Sequence, residues 1–275
     1  PTNARQQCLR LAGFAHARYA AQDGIICAGP CSLHPRTPAM PKTSLVLFDI
    51  DGTLLHSGGC GRAATRLAIQ DVFGTTGNLD EVSFAGKTDW QILLEALAPA
   101  GITAEEIEAR LAEYNRVVAR QLAAIISGCP VRPCAGAPAL VAALRADPAV
   151  LLGLVTGNMA GLVPIKLRAA GFDPADFPIG AFGSEGWNRA MLPPLALARA
   201  NAFNGADFAP DHVVIIGDTP GDIACAHSIG ARTIAVATGP FSAGELAACQ
   251  PDGLFATLED TNAVLRAILN GQRDT

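Results

Sequence analysis

The stretch Ser44-Leu45-Val46-Leu47-Phe48-Asp49-Ile50-Asp51-Gly52-Thr53-Leu54 constrains the fold of this chain more than any other. Its apolar, branched first half is the pattern of a strand buried on both faces of a parallel sheet. The run then stops in two carboxylates one residue apart. In an extended chain Asp49 and Asp51 project to one side while Ile50 projects to the other. Two carboxylates side by side at the end of a buried strand repel, and one pKa rises unless a cation lies between them. The pair therefore suits a nucleophile beside an acid/base, or an oxygen-ligand site for a hard metal. A strand closed by an Asp-Gly turn would need only one of the two.

Two further stretches repeat the arrangement of a buried run ending in polar residues. Val150 to Val155 leads into Thr156-Gly157-Asn158, where a hydroxyl, an amide and backbone N–H groups can meet phosphate oxygens. Asn158 could equally be the N-cap of a helix over 159–170. His212 to Ile216 leads into Gly217-Asp218-Thr219-Pro220-Gly221-Asp222. There Pro220 starts a helix and two carboxylates can aim at one point. Four carboxylates converging on one crevice call for a divalent cation. Between these stretches, Arg189 is the cation placed before Pro193-Pro194, which opens a helix over 195–202. Its guanidinium could balance Asp49 and a phosphoryl group. Lys166 reads as a surface or cap-facing residue, and His227 as a packing residue.

Asp49-Ile50-Asp51-Gly52-Thr53-Leu54 resembles the first signature of the haloacid dehalogenase (HAD) superfamily, most of whose members are magnesium-dependent phosphohydrolases. Thr156-Gly157-Asn158 resembles the second motif and Gly217 to Asp222 the acidic one. The third motif departs from the family, because Arg189 stands where a Lys is usual. The resemblance covers roughly residues 44 to 240. It implies an α/β fold, a doubly wound parallel sheet (a Rossmann-like HAD core), with an inserted helical cap domain.

The intervening sequence agrees with an insert. Helices are expected over 62–73, 88–98, 103–127 and 136–146, with Thr103 as an N-cap ahead of Glu105 and Glu106. Gly58-Gly59-Cys60-Gly61 reads as the flexible connection into them. The expected domains are 41–58 with 136–275 as the core and 59–135 as the cap. Within the insert, Phe84-Ala85-Gly86-Lys87-Thr88-Asp89 resembles the cap loop of phosphoglycolate-phosphatase-like members, which makes Lys87 a candidate for a substrate's second anionic group. A plain helix start capped by Thr88 is the other reading.

Residues 1–40 are unlike the rest, rich in Arg and Pro, and are expected to be a disordered or non-native extension with Met40 as the natural start. The net charge of −5 gives no footprint for nucleic acid or an anionic membrane. No apolar run is long enough to span a membrane. The eight Cys fall in no metal-ligand spacing and read as thiols of a cytoplasmic protein.

The resemblance implies a Mg²⁺-dependent phosphohydrolase acting on a small, phosphoglycolate-like phosphomonoester. Asp49 would attack phosphorus and Asp51 would serve as acid and base. Thr156, Gly157, Asn158, Lys87 and Arg189 would bind substrate. Asp49, the Asp51 carbonyl, Asp218 and Asp222 would hold or support the metal. A dehalogenase would need neither Asp51 nor Asp218. A phosphosugar mutase of the same superfamily and a non-catalytic metal-binding regulatory module stay open as alternatives. The substrate's identity and the oligomeric state are not legible.

Overall fold

A computed structural model of the protein describes residues 42–205 and 207–269. The expectations for residues 1–40, Met40 included, lie outside them.

The described chain begins with β1 (Ser44–Phe48), whose five residues are all buried, followed by a two-residue β2 (Leu55–His56). Three helices come next: α1 (Cys60–Phe73), α2 (Asp89–Leu97) and α3 (Ala104–Ile125). Their starts are written in the sequence. Thr88 accepts from the Gln91 N–H, and Thr103 and Glu106 satisfy each other's backbone N–H groups in a capping box. The apolar faces of these helices close on their own core, in which Tyr114, Leu93, Leu97 and Ile69 are fully buried.

The chain returns through β3 (Arg132–Pro133), which pairs antiparallel with β2, and enters α4 (Ala137–Ala146). The outgoing and incoming connections of the helical insert therefore lie side by side. A disulfide joins Cys60 to Cys129 there, with Cα atoms 6.3 Å apart. This corrects the reading of all eight cysteines as thiols. The partners are 69 residues apart in sequence, and the pairing of β2 with β3 and the packing of α1 on α3 bring them together.

Strand β4 (Val150–Thr156) follows, then α5 (Val163–Ala169), β5 (Ile179–Phe182) and α6 (Leu192–Asn204). Next come β6 (Val213–Gly217), α7 (Pro220–Ser228), β7 (Arg232–Val236), α8 (Ala243–Ala247), β8 (Gly253–Phe255) and α9 (Thr261–Leu269). Six strands form one parallel sheet in the order β5-β4-β1-β6-β7-β8. Numbered within the sheet alone this is 3-2-1-4-5-6, the order of a Rossmann-type doubly wound sheet.

Alternation along β1 divides the core into two layers. Val46 and Phe48 face one layer with Leu140, Leu144 and Ile268, while Leu45 and Leu47 face another with Leu192, Ala196 and Ala226. The expected α/β core is thus present. Two local expectations fail. The helix after Asn158 starts at Val163, because Pro164 belongs in a first turn and not in a helix interior. His227 is exposed on α7 and packs no core.

The sheet order places β1 between β4 and β6, where the chain reverses its direction of growth. Phe48 pairs with Leu154 on one side and Ile216 on the other, so the three strands end at one level. Ligands of open α/β sheets bind outside the carboxyl ends of the strands at such a switch point.

Candidate active site

Each chemical stretch of the sequence begins where one of these three strands stops. Asp49 follows β1, Thr156 is the last residue of β4, and Asp218 follows β6. They border a cavity of about 600 Å³ whose far wall is the helical insert, through Arg62, Phe84 and Lys87.

The turn after β1 depends on Gly52. Its φ of +89° is in the left-handed region, and a Cβ there would lie 2.3 Å from an Asp218 carboxylate oxygen. The Asp-Gly turn is therefore real, yet it serves the second reading as well, since its glycine lets the β1 and β6 carboxylates approach.

Asp49, Asp218 and Asp222 are all buried, and one carboxylate oxygen of each lies within 4.8 Å of the others. Arg189 enters this group from the short turn before α6. One of its nitrogens, Nη2, donates to Asp49 Oδ1 at 2.7 Å and also to Asp222 Oδ1. Asp222 is further tied down as half of the α7 capping box, its Oδ2 accepting from Thr219 N at 3.0 Å and Thr219 Oγ1 at 2.7 Å. Asp218 accepts from Thr53 Oγ1 at 3.0 Å.

Burial raises the Asp49 carboxyl above the usual range; Arg189 opposes this, and Asp222 and Asp51 add to it. Burial raises Asp218 too, reinforced by Asp49 and Asp222. Three buried carboxylates against one guanidinium leave negative charge uncompensated, which is costly without a further cation. The donors are hard oxygens, the chemistry magnesium prefers. A magnesium ion fits this cluster.

Asp51 is arranged differently. Its side chain turns away from the cluster, with Oδ1 accepting from Ser57 Oγ at 3.0 Å and Oδ2 from Asn158 Nδ2 at 2.8 Å and Lys166 Nζ at 2.6 Å. Burial pushes this carboxyl up, but the Lys166 ammonium and the three hydrogen bonds outweigh it and hold it below the usual range. Of the two readings of Lys166, surface or cap-facing, the surface one fails: it is buried and its ammonium lies against Gly61 of α1. Nor is Asn158 a helix cap; it bonds Asp51 and, at 2.7 Å, Thr156 Oγ1. The overlooked signal was Pro164, which sets the start of α5 and puts Lys166 in its first turn.

The insert docks directly on the β4 loop. Asp89 N donates to Gly157 O at 2.7 Å, and Met159 N donates to Asp89 Oδ2 at 2.7 Å. A Cβ on Gly157 would lie 2.0 Å from the Lys87 carbonyl oxygen, so glycine is required for this approach. Lys87 borders the cavity and pairs with Glu95. Arg62 supports the same loop, lying over the Phe84 ring with its guanidinium carbon 4.2 Å from the ring centroid.

Burial pushes the Asp89 carboxyl up to about 6; Lys166 and the Met159 N–H oppose the rise, and Asp51 adds to it. A carboxyl with a higher pKa in the folded chain than in the unfolded one favours folding while it is protonated. That contribution is whole below about pH 4 and lost as pH rises through about 6. Asp89→Asn, which keeps the acceptor, should therefore gain stability relative to the parent between pH 4 and pH 7, by on the order of 3 kcal/mol. Urea denaturation at both pH values measures this, and a difference that stays constant would contradict the buried setting of Asp89.

Comparison with known proteins follows the same outline. Residues 193–261 match the HAD-hydrolase-like family. A phosphoglycolate phosphatase from Rhodospirillum rubrum is 27% identical over 204 residues, which cover 73% of this chain and 81% of that protein. Among solved structures, a hydrolase from Pseudomonas syringae superposes with a TM-score of 0.57 at 21% identity, over 83% of this chain and 99% of that one. A predicted phosphoglycolate phosphatase from Haemophilus somnus gives 0.56 at 22% identity, over 81% and 98%. The likeness to the two structures is one of fold.

Proposed function

We propose that this chain is a phosphohydrolase of the haloacid dehalogenase superfamily, to which its matches point, and that it cleaves a small phosphomonoester through an aspartyl-phosphate on Asp49. The observation that carries the reading is the separation of the two strand-end carboxylates. Asp49 faces Arg189 and the acidic cluster, while Asp51, two residues on, is held apart by Ser57, Asn158 and Lys166. One carboxylate is placed to attack and the other to move protons.

Asp49 and Asp218, with the Asp51 main-chain carbonyl and with Asp222 in support, would hold a magnesium ion, which when bound neutralises charge on the phosphoryl group. Arg189 fixes the Asp49 carboxylate for in-line attack and contributes positive charge beside it. Thr156 Oγ1 and the backbone N–H groups of Gly157 and Asn158 bind phosphoryl oxygens at the end of β4.

In the first step an Asp49 oxygen bonds to phosphorus. The bond from phosphorus to the leaving oxygen breaks with its electron pair on that oxygen, which takes the proton that Asp51 gained from water in the preceding turnover. In the second step Asp51 accepts a proton from water as the water oxygen bonds to phosphorus. The bond from Asp49 to phosphorus then breaks and inorganic phosphate leaves.

Lys87 is the insert's candidate for recognising a second anionic group on the substrate, from the wall opposite Asp49. A phosphoglycolate-like compound has such a carboxylate, and the relative from Rhodospirillum rubrum is named for that activity. Phosphate release from a panel of small phosphomonoesters, with Mg²⁺ and with EDTA, tests the proposal. Metal-dependent release led by phosphoglycolate is expected. Interconversion of a hexose phosphate without net release would indicate the mutase instead, and no conversion of any compound by folded protein would refute an enzymatic role.

A further inference from the structure

The reaction steps above give the buried Lys166 no part of their own. Lys166 is only 3% exposed, and its ammonium lies 2.6 Å from Asp51 Oδ2 and 2.6 Å from Asn158 Oδ1. A lysine so close to a cavity would ordinarily extend its stem and leave its head in water, because burying an ammonium costs several kcal/mol unless partners replace its hydration. The surroundings hold it in. A Cβ on Gly61 of α1 would meet Nζ at 3.1 Å, so the first turn of α1 closes tightly over the ammonium.

The result is a closed relay. Lys166 Nζ bonds Asn158 Oδ1, Asn158 Nδ2 bonds Thr156 Oγ1 and Asp51 Oδ2, and Ser57 holds Asp51 Oδ1. Lys166 also fixes which end of the Asn158 amide faces Asp51. Without the ammonium the carboxylate loses its one charged partner, and the amide that also holds it keeps only its bonds to Thr156 and Asp51. Arg189 does not overlap this role, since its hydrogen bonds run to Asp49, Asp222 and the Val155 carbonyl. The two cations serve one strand-end carboxylate each.

We propose that Lys166 is a positioning residue for Asp51, holding its carboxylate in the one orientation from which it transfers protons in both steps. The proposal rests on the phosphohydrolase reading. A merely structural lysine, bracing α1 against the β4 loop, would make a different prediction, and p-nitrophenyl phosphate separates the two. p-Nitrophenolate departs without needing a proton, so with this substrate only the hydrolysis of the phosphorylated Asp49 depends on Asp51.

Lys166→Met should therefore form the phosphoenzyme at a rate within about threefold of the parent, while steady-state turnover falls about 100-fold, the scale of a lost acid/base contribution. Rapid-mixing measurement would show a burst of one p-nitrophenolate per enzyme followed by slow release. An equal fall in both phases, or turnover within about threefold of the parent, would overturn the proposal. If Lys166→Met does not fold, Lys166→Gln carries the same expectation. A parent enzyme that releases no p-nitrophenolate with Mg²⁺ would refute the phosphohydrolase reading and this inference with it. A working parent whose variant shows no burst would refute the inference alone.

Discussion

Asp49→Asn should leave a folded protein whose phosphatase turnover is lower by on the order of 10⁴-fold, about 5.4 kcal/mol of lost transition-state stabilisation. An amide of the same shape is a very poor nucleophile toward phosphorus, and no other described carboxylate is placed to replace it. Asp51 is held by Lys166 and Asn158, and Asp222 by Arg189 and Thr219. The fold should tolerate the change or gain from it, because burial and the neighbouring Asp222 and Asp51 already penalise a charge at this position. Melting temperature and turnover should therefore move independently. Residual activity within tenfold of the parent would refute the nucleophile assignment. A large loss of melting temperature would refute the account of the charge balance.

The second large effect is expected at Arg189, and it depends on how few of its atoms are used. A single nitrogen, Nη2, bonds both Asp49 and Asp222. Arg189→Met removes the only cation that touches the acidic cluster among the described residues and leaves three buried carboxylates facing one another. Breaking such a buried pair costs about 3–5 kcal/mol. Turnover should fall by about 10² to 10³, the scale of losing one charged group that stabilises a transition state. Arg189→Lys should restore much of both, because one ammonium can make the two bonds that one Nη2 makes. Urea denaturation and steady-state kinetics of the two variants read the contrast. Equal damage from Met and Lys would mean that the guanidinium fork itself is required.

This accounts for the departure in the third motif. Arg at 189 looked in sequence like a break from the usual Lys. In the folded chain it reaches Asp49 and Asp222 and is itself buried. Lys166, which in sequence reads as surface or cap-facing, is the second cation of the site.

The insert shows a similar division between what was legible and what was not. Its helices were readable from capping residues and apolar spacing, to within about two residues at Thr103 and Thr88. Its attachment was not. That Asp89 accepts the Met159 N–H, that Gly157 must lack a side chain beneath Lys87, and that Cys60 meets Cys129 are relations across 70, 70 and 69 positions of sequence. No local pattern records them.

The sequence by itself determined β1, β4 and β6, their polar ends and the residues that crowd there, because burial on both faces and the abrupt appearance of Asp49, Asp51, Thr156, Asp218 and Asp222 are local properties of the chain. Only the tertiary structure decided which cation serves which carboxylate. Asp49 and Asp51 both follow β1, and their separate partners arrive from a turn 140 residues after Asp49 and a helix 115 residues after Asp51. The pairing of charges is a matter of distance in space, and it is fixed by the order of the strands and the start of one helix.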